Sequence, residues 1–580
     1  NCDGVSKVKY RTVDVTARAG VIYEKKEGTL VFEAGEDAKL VPIHLIDNAW
    51  WNTTTEFKCE LLDEDIENAL LGRFLWQTRV KVIDNDAFPT NHYADEVRKL
   101  PPHSLEGVNR FRLILEFFRM CLADPVIRRN SLMSIIGGGI MNLMFALKVI
   151  ANLILVDFIL QADTKLPGFD FTNEYRINAL LAITALMTGE LALKHLIDFV
   201  LSKYFSSTGS LRQTMQSGLL RKFLNYDEVS RDNFPQSDLV MAILRDITSL
   251  AASYSKALKI VDALGMVVVI FVLQLVKPII HAEPPAPLGA VGTLAFPFML
   301  VPIFACRNNK SRRALAEEAR CQNNLVDHIE YTVDVCPLVA DYSKRAAFVS
   351  LFDHRITEYN NSNKFLNLVL MTNYYVAPWI LSLSKAMYMM YGGISIINET
   401  QSLGTFLANL SILDKVGECW SSIYGHVLAL QGVLPSIERI VIFLNFSTDL
   451  RQRGELYEAT AEYQREFTAR HRGGQDPIVD IIPIRFSCSP MPAKIAAGLC
   501  NRDYWQGGAE IEQGNIVALI GPRGGGKSTV LRMLGGSQLP KLESNVRCLV
   551  PSHLRVLHVS HDPVLLHGTL WMNLTFGVVP

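Results

Sequence analysis

The chain lacks a C-x-x-C pair, and its ten cysteines show no regular spacing across 580 residues. That argues against a zinc site and against a disulfide scaffold, and predicts reduced, mostly structural thiols. It also lacks an excess of either charge: 57 basic against 58 acidic side chains give a formal net charge of −1. Nucleic acid as a partner needs a basic stripe or patch, so that class is set aside. The chain begins at Asn1 without methionine and has no apolar signal-type run near its start. The expectations are therefore no signal peptide and a chain missing residues at its N-terminus. Charge is also scarce inside long stretches of the middle of the chain.

What is present is an apolar fraction of 49% and a mean hydropathy of +0.17, the balance of a chain that meets lipid. The length predicts several domains. Residues 1–88 read as β. Alternating runs at 28–32, 39–43, 56–61 and 78–83 are separated by Gly, Asp and Asn turns, the spacing of a small all-β sandwich. Residues 89–130 read as a linker and a pre-membrane helix. Over 131–440, apolar stretches lie near 131–160, 176–200, 260–280, 288–306, 365–396 and 404–430. Each approaches or exceeds the roughly 20 residues that cross about 30 Å of hydrocarbon, predicting an all-α unit of six crossings. The connections at 161–175, 281–287 and 397–403 carry Lys165 and no other Lys or Arg. Arg128 and Arg129 precede the first crossing, and Arg307, Lys310, Arg312 and Arg313 follow the fourth. By the positive-inside rule, both ends and the polar spans 201–255 and 307–362 are expected in the cytoplasm. Residues 441–476 read as a charged linker and 477–580 as a partial α/β unit.

In that last unit the apolar run Asn515–Ile520 reads as a strand. After it come Gly521, Pro522, Arg523, Gly524, Gly525, Gly526, Lys527, Ser528 and Thr529, then a helix-like segment. This is G-x-x-x-x-G-K-[ST] in the setting of a phosphate loop. Glycines let backbone N–H groups curl round an anion, and the following helix N-terminus adds its dipole. Lys527 is expected on the β- and γ-phosphates of ATP and the Ser528 hydroxyl on Mg²⁺. The bland alternative is a glycine-rich turn that matches the pattern by chance.

Six crossings followed by this loop resemble an exporter-type ABC transporter, over about 110–580. Gln401–Phe406 and Pro435–Ile440 resemble the family's stretches into and out of the sixth crossing, and Val559–Leu570 with Asn573–Gly577 resembles its Q-loop region. The resemblance implies ATP-driven transport of an unidentified substrate, membrane lipid around the helices, and a second half that completes the nucleotide site. It also places His561 where the family carries the Q-loop glutamine. Cys488 stands near the adenine-stacking aromatic, for which Phe486 or Tyr504 would substitute. The signature motif, Walker B acid and switch histidine do not occur before Pro580, so no catalytic residue is assigned. A regulatory or channel-like relative with little turnover is the competing reading.

Residues Gly28–Glu36, Ile46-Asp47, Glu56-Phe57, Leu71-Gly72 and Ile83–Asp86 resemble a Calx-β domain. The resemblance implies a Ca²⁺ site drawn from Glu24, Asp47, Asp84 and Asp86, against a plain docking sandwich. Two charges in the first and second crossings, Lys148 and Glu190, are candidates for a translocation path. The alternative has Glu190, Lys194 and Asp198 bridging along one helix.

Overall fold

A computed structural model describes residues 4–36, 38–47, 51–72, 75–94, 110–160, 173–232, 236–281, 287–398, 401–470, 482–488, 507–523, 525–540, 546–560 and 565–576. The N-terminal region folds as an antiparallel sheet of β1 (Ser6–Asp14), β2 (Glu27–Phe32), β3 (Thr55–Glu67) and β4 (Gln77–Val82), in the order β2-β1-β3-β4. Alternation decides the buried face: Val8, Tyr10 and Thr12 of β1 point inward while Arg11 is exposed. Tyr23 and Phe57 stack at 4.1 Å between ring centroids, and the Tyr23 hydroxyl donates to Asp14 Oδ1 at 2.5 Å.

Three expectations change here. The central strand β1 was not among the predicted runs. Residues 39–43 form no strand, because Pro42 has no N–H for a ladder and Leu40 is 89% exposed. The expected two-layer sandwich is represented, among the described residues, by one sheet plus isolated bridges at Ala19–Tyr23 and Tyr23–Leu45.

All six apolar stretches lie in helices. The longer helices of this region are α1 (Arg110–Ala123), α2 (Pro125–Ile154, continued by a π-helical turn to Leu160), α3 (Asn173–Tyr204), α4 (Ser207–Leu224), α5 (Ile247–His281), α6 (Pro287–Asp334), α7 (Arg345–Ile397) and α8 (Leu403–Gly432), and the six stretches fall in α2, α3, α5, α6, α7 and α8. Asp124 starts α2 by accepting from the N–H groups of Val126 and Ile127, ahead of Pro125 in the first turn. Among the described residues, four helical spans are long and apolar enough to cross a membrane. A fifth arises if α8 and α9 (Leu434–Asn445), bent by 42°, count as one. Residues 288–306 belong to α6, most of whose side chains there lie outside the described ones. Leu181, Leu191, Trp379 and Met390 are each more than 60% exposed, as suits helices whose solvent is hydrocarbon.

The charged stretch expected as a linker is helical. After α9, α10 runs Leu450–Arg470, stitched by Arg453–Asp449, Arg451–Glu455 and Arg470–Glu466, each one turn apart. The last region has an antiparallel sheet of β5 (Ile484–Cys488), β6 (Gly507–Ile511) and β7 (Val546–Leu549), ordered β6-β5-β7, and α11 (Lys527–Leu534). Asn515–Ile520 is not a strand. No described strand lies against it to complete a ladder, and Ile516 and Ile520 are fully or almost fully exposed.

The largest core lies at one end of the helical body. It gathers Phe88, Leu113 and Phe117, Leu211 and Leu219, Ile247 and Tyr254, and Ile437, Ile440, Val441 and Leu444. Phe88 is how the sheet docks there. Its N–H and carbonyl bond the Asn445 side-chain amide at 2.9 Å each, and its ring meets Trp51 edge-on at 4.8 Å. Lys81 reaches Asn225 Oδ1 at 3.4 Å. The last region attaches to the same end: Gln538 donates to Glu228, and Arg453 to the Gly536 carbonyl.

Candidate functional site

The phosphate-loop motif closes on itself. Gly526 adopts φ +78°, a left-handed conformation that glycine takes without strain, and caps the start of α11. Lys527 turns back so that Nζ donates to the carbonyls of Gly521 at 2.8 Å and Pro522 at 2.6 Å. Nothing lies within 4 Å of where a Cβ would stand on Gly521 or Gly526, so the loop mouth is open. Ser528 is exposed and Thr529 half-buried at the first turn of the helix. Gly524 and His561 lie outside the described residues, as does Tyr504. Phe486 cannot serve as an adenine platform, since it is buried in β5 at 4% exposure.

The four acidic candidates of the sheet do not form a cage. Asp84 Oδ1 accepts from the Asp86 N–H at 2.9 Å and Oδ2 from the Asn52 N–H, while Asp86 Oδ1 accepts from Asn91. Burial at the docking face pushes the Asp84 carboxyl above its ordinary range; the Asp86 and Asn52 N–H groups oppose this. Glu24 and Asp47 are exposed, on the paired segments around the Tyr23–Leu45 bridge. Among the described residues no group of three or more His, Cys, Asp or Glu is placed to hold a metal. A cation would have to take Asp84 from its backbone donors, so these carboxylates as arranged offer Ca²⁺ at most a weak site. Calorimetry with Ca²⁺ is therefore expected to show binding no tighter than about 10⁻⁴ M, lost in Asp84→Asn/Asp86→Asn. Sub-micromolar binding would mean that the module carries a cage this arrangement does not have.

Within the helices, Lys148 Nζ stands 2.8 Å from Glu190 Oε2, joining α2 to α3. Antiparallel neighbours bring mid-helix positions to the same level, and in a membrane the pair would spare each charge an unpaired place in hydrocarbon. Several polar contacts here have no counterpart in the sequence reading. Asp157, 3% exposed in the π-helical turn, accepts from the Gly404 N–H at 2.7 Å and from Ser402 Oγ at 2.9 Å, so it caps α8 from another helix. A Cβ on Gly404 would overlap that carboxylate. Asn142 donates to the Asp262 carbonyl and carboxylate at 3.1 and 3.2 Å, with the Asp262 side chain seated against Gly138. Lys385 pairs with Asp414, and Lys415 with Glu418 at 3.1 Å. Asp246, fully buried, is held by Arg439 Nε at 3.1 Å, Arg245 Nε at 3.1 Å and Ser436 Oγ at 3.1 Å. The signal for these was available: each is an ionisable or amide side chain inside or beside an apolar run.

Residues 1–86 match the Calx-beta domain family. A 76-residue stretch is 38% identical to ABC transporter B family member 1 of Dictyostelium discoideum. That match covers 12% of this chain and 8% of the relative's length.

Proposed function

We propose that this chain binds ATP–Mg²⁺ at residues 521–529 and couples that binding to the transport of a solute through its helices, as an exporter-type ABC transporter, with the N-terminal module linking transport to calcium. The observation that supports this most is the Lys527 side chain. Its ammonium is held by two loop carbonyls at an open, glycine-lined helix N-terminus. An entering phosphate would take the ammonium from those carbonyls, because charge-assisted bonds to phosphate are the stronger ones. The freed carbonyls are in water, so the exchange costs little. Backbone N–H groups at the start of α11 would then face the anion, with the Ser528 hydroxyl beside them. Mg²⁺, when bound there, would neutralise phosphate charge.

The route from this loop to the membrane runs through α10, which touches both β7 and the 536–540 turn. The sheet module and the loop region meet the same end of the helical body, which supports placing both in the cytoplasm. Lys148 and Glu190 are the proposed polar positions on the transport path. The regulatory reading, with ATP bound but little turned over, is favoured by the burial of Phe486, which leaves the adenine side without that ring.

The test is nucleotide binding by the purified chain, followed with a fluorescent ATP analogue and Mg²⁺. Lys527→Ala is expected to weaken binding by about 100-fold, the loss of a charged contact to two phosphates. ATPase activity is expected at background in both proteins. Equal binding by the two would remove the nucleotide reading.

A further inference from the structure

Two acids of the N-terminal module stand where it meets the helices, and their hydrogen bonds reach both segments that make the contact. Asp84 Oδ2 accepts from the Asn52 N–H, and Asn52 lies between two residues that press on the helical body. Trp51 packs against the main core and meets the Phe88 ring edge-on. Thr53 approaches α4 so closely that a Cβ on Gly218 would stand 2.9 Å from its methyl carbon. Asp84 Oδ1 accepts from the Asp86 N–H, Asp86 Oδ1 from the Asn91 amide, and Asn91 Oδ1 from the Ala87 N–H at 2.9 Å. This second branch shapes the turn that carries Phe88, bonded to Asn445 of α9. The same turn carries Thr90, whose hydroxyl donates to Glu116 Oε2 of α1 at 2.9 Å. One carboxylate therefore ties residues 51–53 to residues 86–91, the two arms of the docking surface.

Both Asp84 oxygens already face the positive ends of N–H dipoles. A divalent cation on the same oxygens would repel those hydrogens, so the ion and the two arms compete for one carboxylate. We propose that Asp84 and Asp86 are positioning residues of an intramolecular interaction surface, and that Ca²⁺ taking them frees both arms and releases the module from the helices. The docking role rests on these contacts alone. Release by Ca²⁺ rests on the calcium link proposed above and gives that link a sign: the ion undocks. Such coupling is reciprocal, so docking weakens Ca²⁺ binding by the same factor as Ca²⁺ weakens docking.

The test is limited proteolysis near residue 90 of the full chain in detergent, with chelator, millimolar Ca²⁺ or millimolar Mg²⁺. Ca²⁺ is expected to speed cleavage about tenfold, within the usual range of such couplings. Mg²⁺ should do much less, because it gives up its water reluctantly. In chelator, Asp84→Asn/Asp86→Asn should already be cleaved faster than the unmodified chain, with no further effect of Ca²⁺. Acids that served only as metal ligands would leave the rate in chelator unchanged, which overturns the docking role. Phe88→Ala keeps every acid and should bind Ca²⁺ about tenfold more tightly by calorimetry. Gly218→Val undocks the module from the helical side, by crowding Thr53, and should show the same gain. Equal Ca²⁺ affinity in docked and undocked proteins overturns the release, as does Ca²⁺ that binds without changing cleavage. No heat with Ca²⁺ in any variant removes the calcium link itself and the release with it, so the two failures are distinguishable.

Discussion

Asp246→Ala is expected to cost the helical body about 3–5 kcal/mol, because it strands two arginines in a buried site. The carboxylate is fully buried and meets Arg245, Arg439 and Ser436. Both arginine side chains are less than a third exposed, so water does not readily replace the lost partner. The site also fixes how α9 turns away from the bundle, since Arg439 and Ser436 belong to α9 while Asp246 immediately precedes α5. Chemical unfolding of the purified protein in detergent measures the loss. Asp246→Leu/Arg439→Leu should recover much of it, because removing both charges leaves less buried charge uncompensated. A change within about 0.5 kcal/mol for Asp246→Ala would show that the cluster is solvated and carries no structural weight.

Phe88→Ala should detach the N-terminal sheet from the helices. The ring has no exposed surface and packs among Trp51, Phe117 and the α1, α4, α5 and α9 side chains of the main core. Truncating a buried phenylalanine costs about 3–5 kcal/mol, and here the loss falls on an interface between units. The other docking contacts include the Trp51 ring against the same core, Thr53 beside Gly218, two bonds to Asn445 and the Lys81 contact. The polar ones each contribute on the order of 1 kcal/mol, less than the buried Phe88 ring. Limited proteolysis reads the result as release of a fragment near residue 90, with the helical body intact. Asn445→Ala should give a weaker form of the same release. A Phe88→Ala protein cleaved no faster than the unmodified chain would place the docking energy elsewhere.

Much of the helical body was legible in the sequence. The six apolar stretches are local features, and helices follow from local spacing. The glycine-rich motif at 521–529 could be read as a pattern, because its glycines and Lys527 are adjacent in the chain. Strands were less so. β1 escaped because its register against β2 and β3 is a tertiary fact, and Ser6–Asp14 is rich in charge on its outer face. The run 515–520 has the composition of a strand, yet composition cannot supply the neighbour that a ladder requires. Residues 441–476 read as a linker by charge, but over 450–470 that charge forms one-turn ion pairs that favour a helix.

By itself, then, the sequence determined which segments are apolar enough to meet lipid, where the glycine–lysine motif lies, and that residues 1–88 are β-rich. Those properties depend on side chains within a few positions of one another. Tertiary structure alone decided which charges meet: Lys148 with Glu190, Asp157 with Gly404 across 247 positions, and Asp246 with Arg439 across 193. A charge in a helix can be located from the sequence, but its partner depends on the depth, rotation and crossing of helices far apart in the chain. Those are fixed only when the whole bundle packs and every buried charge must find its match.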